Sequence, residues 1–379
     1  MPPRIVVLGG GIGGLLTANL LAKRLDRTKA AITLVDATGM HVFQPGWLYV
    51  ALDKANARWL ARDTRALLRR GVRLVIDEAS HINLADRRVD LARGDHLDFD
   101  YLVIATGATL ARDEIPGLRH TTHDFYSSAG AERLREALRS FTGGNLVVSV
   151  PPMPFKCPPA PVEFTLLLDE YLRKQGVRDQ TKITYVSPLD RVFPIASVAG
   201  MVEELFAKND IRTQLGFTVQ EVESGFLISD TGEKEPFDLA VSIPPNRGAP
   251  IAVSSGLGDH QGWIPADPRT LAVRGADDVY VVGDASNLPT SKNGSTAHFE
   301  APRVAEQIIA GVEGRVPNPV RSRYRGLVIC PFEVGGGKAT VLVFDYDRPP
   351  RPLRPNRFWH AATWLFNRTY WFTVKSGRL

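Results

Sequence analysis

Apolar residues fall along the chain in short unbroken runs, most of them followed by a stretch with helical spacing. Arg4 to Leu8 is the first run; a glycine turn follows it, and Leu15 to Leu25 continues as a helix. Ile32 to Val35 is the next run. Leu146 to Val150 starts a second strand-helix-strand unit, with a helix predicted over Pro161 to Lys174 and a strand over Ile183 to Val186. Val162, Thr165, Leu166, Asp169 and Leu172 share one face of that helix. Runs that are apolar throughout, rather than alternating, suit a parallel sheet covered on both faces. The pattern predicts an α/β fold with two such layers. Near the end, Cys330 is expected at the close of a strand stopped by Pro331, before a glycine turn into Ala339 to Phe344.

The first glycine turn, GGGIGG, gives the chemistry of the first layer. Gly9, Gly11 and Gly14 have the G-x-G-x-x-G spacing, immediately after a strand and before a helix. Such a turn lets a pyrophosphate approach the backbone at a helix N-terminus. Asp36 ends the second strand, where a carboxylate can accept hydrogen bonds from a ribose. Two later segments, DYLVIATGA with Thr106 and Gly107 and DDVYVVGDAS with Gly283 and Asp284, resemble the later signatures of flavoproteins with two dinucleotide-binding domains. The resemblance implies FAD, with Asp284 at its ribityl chain. It also implies two Rossmann-like dinucleotide-binding-type domains: residues 1–110 and 246–315 as a discontinuous FAD-binding domain, residues 111–245 as an inserted second domain, and residues 316–379 as a C-terminal region.

In the second domain the corresponding turn is PPMPFKCPPAP. Pro151, Pro152, Pro154, Pro158, Pro159 and Pro161 remove backbone donors, so this turn lacks the run of N–H groups that holds a second pyrophosphate. It can hold a sulfur rigidly instead. Cys157 stands just before a helix N-terminus with Lys156 beside it, surroundings that favour thiolate. Glu163, expected in the first helical turn, is within reach to accept a proton from a small acidic substrate. A buried structural cysteine and a glutamate that merely suits the helix dipole are the alternatives. Further on, a helix is expected from about Ser295 to Ala310, capped by Ser295 or Thr296. Lys292 and this helix would face a reduced flavin's negative charge, unless Lys292 is a solvated loop lysine. His298 and Glu300, on the same helix, read as structural or surface residues.

Composition bounds these readings. A chain of 379 residues with 44% hydrophobic and 23% charged residues is an ordinary globular protein, long enough for more than one domain. Two distant cysteines do not make a disulfide scaffold. The net charge of +5 is local, because residues 348–379 carry six Arg, one Lys and no acid. That distribution argues against a nucleic-acid partner and for an acidic surface near the C-terminus. In that tail Trp359, Trp364, Trp371, Phe358, Leu365, Phe366, Tyr370 and Phe372 alternate with Arg351, Arg354, Arg357, Arg368, Lys375 and Arg378. Aromatic residues mixed with cations suit a membrane-interacting surface, with rings in the acyl boundary and cations at anionic headgroups. No metal site is expected. The absence of a signal segment before Arg4 and of a spanning run points to peripheral attachment on the cytoplasmic side of the cell membrane.

KCPPAPVE, SIPPN (Ser242 to Asn246), VYVVGD, SKNG and the late Cys330, in that order, resemble the sulfide:quinone oxidoreductases and, more distantly, the flavoprotein subunit of flavocytochrome c sulfide dehydrogenase. The resemblance implies an enzyme in which two cysteines, here Cys157 and Cys330, cycle through a disulfide or polysulfide bridge over the flavin. Sulfide would attack the bridge, and FAD would pass two electrons to a membrane quinone. Glu163 would match the family's acidic residue near the sulfide site. Many members carry a third cysteine after the Ala-Thr-Gly turn; residues 107–130 contain none. The cysteine that anchors FAD in the flavocytochrome relatives, near His41 to Pro45, is also absent. FAD is therefore expected to be non-covalent. The alternatives are an NAD(P)H-dependent quinone or ferredoxin reductase, a sulfide dehydrogenase with a cytochrome c acceptor, and a non-catalytic flavin sensor. A homo-oligomer stays open.

Overall fold

A computed structural model of the chain describes residues 1–377; Arg378, one of the cations assigned to the tail surface, lies outside them. Two parallel sheets organise the molecule. In the first, the strands run Val279–Val281, Tyr101–Ile104, Arg4–Leu8, Ala31–Asp36 and Val72–Ile76 in spatial order, all parallel. In the second they run Ile211–Leu215, Thr181–Ser187, Gly144–Ser149 and Leu239–Ser242, again all parallel. The apolar runs became strands because helices cover both faces and leave almost no edge of Val6, Val7, Val103, Ile104, Val147 or Val148 in water. The two passages between the sheets lie side by side, Ala108–Leu110 antiparallel to Asn246–Gly248.

A third, antiparallel sheet of Val328–Gly335, Lys338–Phe344 and Arg351–Pro352 follows. Pro331 does not end a strand. It sits inside the strand Val328–Gly335 opposite Val341, tolerated because this strand is at the edge of its sheet and needs no second partner for the missing N–H. The chain closes with one helix, Arg357–Ser376, whose buried residues Thr363, Tyr370, Thr373 and Val374 face the body of the protein. Among the described residues no helix is long and apolar enough to cross a membrane.

Several boundaries shift for local reasons. The first glycine-turn helix spans Ile12–Arg24, a turn earlier than the apolar spacing suggested. The helix after Cys157 spans Pro159–Gln175, because proline is at ease in a first turn, where its absent N–H would be unpaired anyway. The late helix spans Gly294–Val312 and is capped by Asn293, whose side chain accepts from the Thr296 N–H; Ser295 and Thr296 are already inside it.

Candidate active site

The first glycine turn is built so that only glycine fits two of its positions. Gly9 has φ +102°, and a Cβ there would lie 2.3 Å from the Ala105 carbonyl oxygen; a Cβ on Gly14 would lie 2.0 Å from the Gly9 carbonyl oxygen. A Cβ at Gly11 would meet nothing within 4 Å, so the turn presents open space at the start of the helix Ile12–Arg24. Asp36 ties the turn to the next strand by accepting from the Gly10 N–H at 2.7 Å and the Gly39 N–H at 2.6 Å. Thr106 follows the strand Tyr101–Ile104, and its buried hydroxyl has no partner. The adjacent Gly107 has φ +70°. An open backbone cradle beside an orphaned buried hydroxyl fits a dinucleotide phosphate.

The opposite wall comes from residues 283–292. The Gly283 N–H donates to Glu300 at 2.6 Å, and Glu300 is wholly buried, so burial pushes its carboxyl up to about 8. His298 is buried too, and desolvation lowers it to about 4. Both are internal supports; neither is on the surface. Burial raises the Asp284 carboxyl while the Lys156 and Lys292 ammonium groups pull it down. Lys292 is not a solvated loop residue. It is buried, donates to the Asp284 carbonyl at 3.2 Å, and stands 3.8 Å from the centre of the Trp263 ring. Desolvation lowers it to about 8 against the attraction of Asp284.

Cys157 meets this wall directly. Its backbone N–H donates to the Lys292 carbonyl at 2.6 Å, and its φ of +52° puts a side-chain-bearing residue in the left-handed region. Such strain costs on the order of 1–3 kcal/mol and persists only where neighbours fix the chain. The neighbours here are Asn246, which accepts from the Lys156 N–H at 3.0 Å, and Tyr126, which donates to the Lys156 carbonyl at 2.9 Å. The segment Ser242 to Asn246 thus braces the cysteine turn. Cys330 reaches the same point from the edge strand. Its thiol donates to Cys157, and that bond, more than anything else, lowers the Cys157 thiol; the Ala160 N–H and the Lys156 ammonium add to it, against burial and the charge of Asp284. Cys330 is pushed well up, first by the same bond and then by burial. Both cysteines are free thiols. Lys156, half-buried, donates to Gln44 at 3.1 Å and lies between the Trp47 and Tyr126 rings.

Glu163 lies in the second turn of its helix. Its carboxyl accepts from the Glu333 N–H at 2.9 Å and from the Tyr49 hydroxyl at 3.2 Å. Burial drives it well above the usual carboxylate range, and the Glu333 and Cys157 charges act the same way. Tyr49 and Glu333 escaped the sequence reading. An acid inside the otherwise apolar strand VICPFEV was the available signal for Glu333; Tyr49 had none. Also unforeseen is the link from His41, whose ring nitrogens lie 2.7 Å from the Gly10 carbonyl and 2.7 Å from the Tyr370 hydroxyl, joining the glycine turn to the C-terminal helix.

Residues 3–149 match the pyridine nucleotide-disulphide oxidoreductase family, and residues 131–235 match the central part of the sulfide dehydrogenase [flavocytochrome c] flavoprotein chain. The chain is 27% identical over 364 residues to the mitochondrial sulfide:quinone oxidoreductase of Mus musculus, covering 93% of this chain and 80% of that protein. It is 25% identical over 412 residues to the sulfide-quinone reductase of Aquifex aeolicus, covering 100% and 93%. The chain is thus similar to sulfide:quinone oxidoreductases over nearly its whole length. Its fold matches the crystal structure of the sulfide:quinone oxidoreductase from Aquifex aeolicus with a TM-score of 0.87 at 21% identity, over 99% of this chain and 92% of that one. A more distant likeness, 25% identity over 370 residues and 90% of each chain, joins it to a type II NADH:quinone oxidoreductase of Staphylococcus aureus.

Proposed function

We propose that the chain is an FAD-dependent sulfide:quinone oxidoreductase in which Cys157 and Cys330 carry the sulfur. The observation that carries this reading is the hydrogen-bonded Cys157 and Cys330 pair, held beside Glu163 in the turn where a second pyrophosphate loop would otherwise stand. Gly9, Gly11, Gly14, Asp36, Thr106 and Gly107 would hold the nucleotide half of FAD, and Gly283, Asp284 and Lys292 its flavin half. Binding is non-covalent in this reading, because both cysteines of the chain are committed to the pair. FAD, when bound, takes up an electron pair at the sulfur site and passes it to a quinone.

The cysteine pair works as a bridge once its two free thiols have lost two protons and two electrons, the electrons going to FAD when it is bound. Hydrosulfide attacks the Cys330 sulfur, a new S–S bond forms there, and the Cys157–Cys330 bond breaks. Cys157 leaves as thiolate because it is the more acidic of the two, and the better leaving group departs faster. Glu163 takes the proton from the Cys330 persulfide. The Cys330 persulfide anion and the Cys157 thiolate then join as a trisulfide, releasing two electrons. One hydrosulfide therefore gives one bridging sulfur, one proton and two electrons.

The outer face of the helix Arg357–Ser376 supports membrane docking. Phe358, Trp364, Leu365 and Phe372 are 52–69% exposed, and Arg368 stacks on Trp364 at 4.3 Å. Met40 and Trp59 are also exposed, near the hairpin against which this helix packs through Trp371 and Arg62. Aromatic rings with cations and no acids fit peripheral attachment to an anionic lipid surface, on the cytoplasmic side in the sequence reading. Vesicles with anionic lipid should sediment the protein, and Phe372→Ser with Trp364→Ser should release it; equal binding by the double variant would count against docking.

The decisive experiment adds sulfide anaerobically to the yellow protein and then a short-chain quinone. Bleaching followed by recovery is expected. Bleaching by NADH and not by sulfide would overturn the reading in favour of a nicotinamide donor.

A further inference from the structure

The sulfur chemistry just described frees one proton per hydrosulfide at a site closed to water, so Glu163, 7% exposed, must be emptied before it can act again. A route outward is visible on four elements. The Tyr49 hydroxyl, on the helix Trp47–Ala51, lies 3.2 Å from Glu163 Oε1 and 3.1 Å from Glu333 Oε1. Glu333 Oε2, on the strand Val328–Gly335, lies 3.6 Å from His360 Nδ1, on the first turn of the helix Arg357–Ser376, a charge contact just beyond hydrogen-bond length to a buried nitrogen that has no other partner. Side-chain exposure rises outward, to 14% at Glu333 and 36% at His360.

We propose that Tyr49, Glu333 and His360 form a proton exit from the sulfur site, carrying the proton of Glu163 through the Tyr49 hydroxyl and the Glu333 carboxyl to the His360 imidazole and solvent. The proposal rests on the sulfide reading above. A phenol between two carboxyls can accept a proton from one while giving its own to the other, so no charge need rest on it. Burial and the flanking Glu163 and Glu333 charges hold Tyr49 well above the ordinary phenol range, which keeps it a relay and not a store. Two carboxylates this close to one hydroxyl repel, which favours keeping one proton among the three groups, and the hydroxyl gives that proton a path from one carboxyl to the other. The charged and titratable groups facing Glu163 are Tyr49, Glu333, Cys157 and Cys330; those facing Glu333 are Tyr49, Glu163 and His360. These three are relay residues acting through Glu163; none is placed on the sulfur itself.

The test uses the FAD-loaded protein in weakly buffered solution, following flavin bleaching by sulfide and proton release to an indicator dye in one stopped-flow trace. Glu333→Gln keeps the backbone N–H that Glu163 needs but cannot carry a proton; it and Tyr49→Phe should slow proton release and the bleaching coupled to it by about 10-fold or more. A small diffusible buffer such as formate or imidazole should restore much of the loss and leave the wild type unchanged. His360→Asn should lose less, because Glu333 already touches solvent. Wild-type proton release measured across H2O and D2O mixtures should depend on the deuterium fraction along a curve, since several protons move together. Folded variants with wild-type proton release, slow variants that buffer does not restore, or a linear deuterium dependence would each overturn the relay while the sulfide reading stands. A wild type that sulfide does not bleach would overturn both.

Discussion

The two strand-turn-helix units start from the same backbone topology and end in opposite chemistry. After Arg4–Leu8 the turn is glycine-rich: backbone conformations and contacts that exclude side chains leave an open cradle at a helix N-terminus. After Gly144–Ser149 the turn is proline-rich, and the one position with a left-handed backbone carries a thiol instead of a hydrogen. Glycine gives a turn a bare backbone that a phosphate can approach; proline fixes a turn in direction and strips its donors. A shared topology therefore says where a site lies and not what it binds.

The largest effect that would break this contrast is loss of either sulfur. Cys157→Ser and Cys330→Ser should each leave FAD bound and lower the rate of bleaching by sulfide at least about 1,000-fold, since no disulfide can form. Full activity in either would place the sulfur chemistry elsewhere. The reciprocal change is Gly14→Ala. Its Cβ has no room beside the Gly9 carbonyl, so forcing it in should cost about 1–3 kcal/mol or more and empty the flavin site. In folded, reduced Gly14→Ala the pH dependence of Cys157 alkylation should stay as in the wild type, showing that the turns fail independently. Retained stoichiometric FAD in that variant would mean the cradle tolerates a methyl group.

A finer cut separates what tunes the thiol. The sequence pointed to Lys156 and the helix N-terminus; in the structure the Cys330 hydrogen bond leads, with the Ala160 N–H and Lys156 after it. In reduced protein, the pH at which alkylation of Cys157 by iodoacetamide reaches half its maximum should move upward in both Cys330→Ala and Lys156→Ala, and further in Cys330→Ala. The reverse order would return the leading role to the lysine.

The difference between the two turns also explains what was legible in the chain. Gly9, Gly14, Asp36, Cys157 and Glu163 could be picked out because their neighbours in sequence are the neighbours that matter: a strand before, a helix after, a fixed spacing. The α/β class and the family resemblance were legible for the same reason, and FAD followed from motif order. Contacts across long stretches of sequence were not. Cys330 was paired with Cys157 only through the resemblance, and its strand was ended too soon because Pro331 is a breaker locally but harmless on an edge. Tyr49 reaches Glu163 and Glu333 from over a hundred residues away, and Tyr370 reaches His41 from farther still. Glu300 reads in sequence as a structural or surface residue, and Lys292 could not be told from a solvated loop lysine, because burial is set by the whole fold.

Glu300 provides the smallest predicted effect and shows how the first site is supported from behind. One carboxyl oxygen accepts the Gly283 N–H and the other is buried without a partner, so the neutral acid is the form the fold prefers. Its folded value of about 8 lies above the ordinary 4.5, so the native state holds a proton that the unfolded chain loses between those two pH values. The contribution of this residue to stability is therefore fully present below about 4.5, declines as pH rises, and levels off above about 8 with an unpaired buried charge. Glu300→Gln keeps an acceptor for Gly283 and cannot ionise. Chemical denaturation of wild type and variant should agree near pH 5, and at pH 8 the variant should be the more stable, by about 1–3 kcal/mol, the usual cost of leaving a buried polar group unsatisfied. A difference that stays constant with pH would mean that Glu300 does not change its charge while folded, and that the partnerless oxygen is satisfied by something other than a proton.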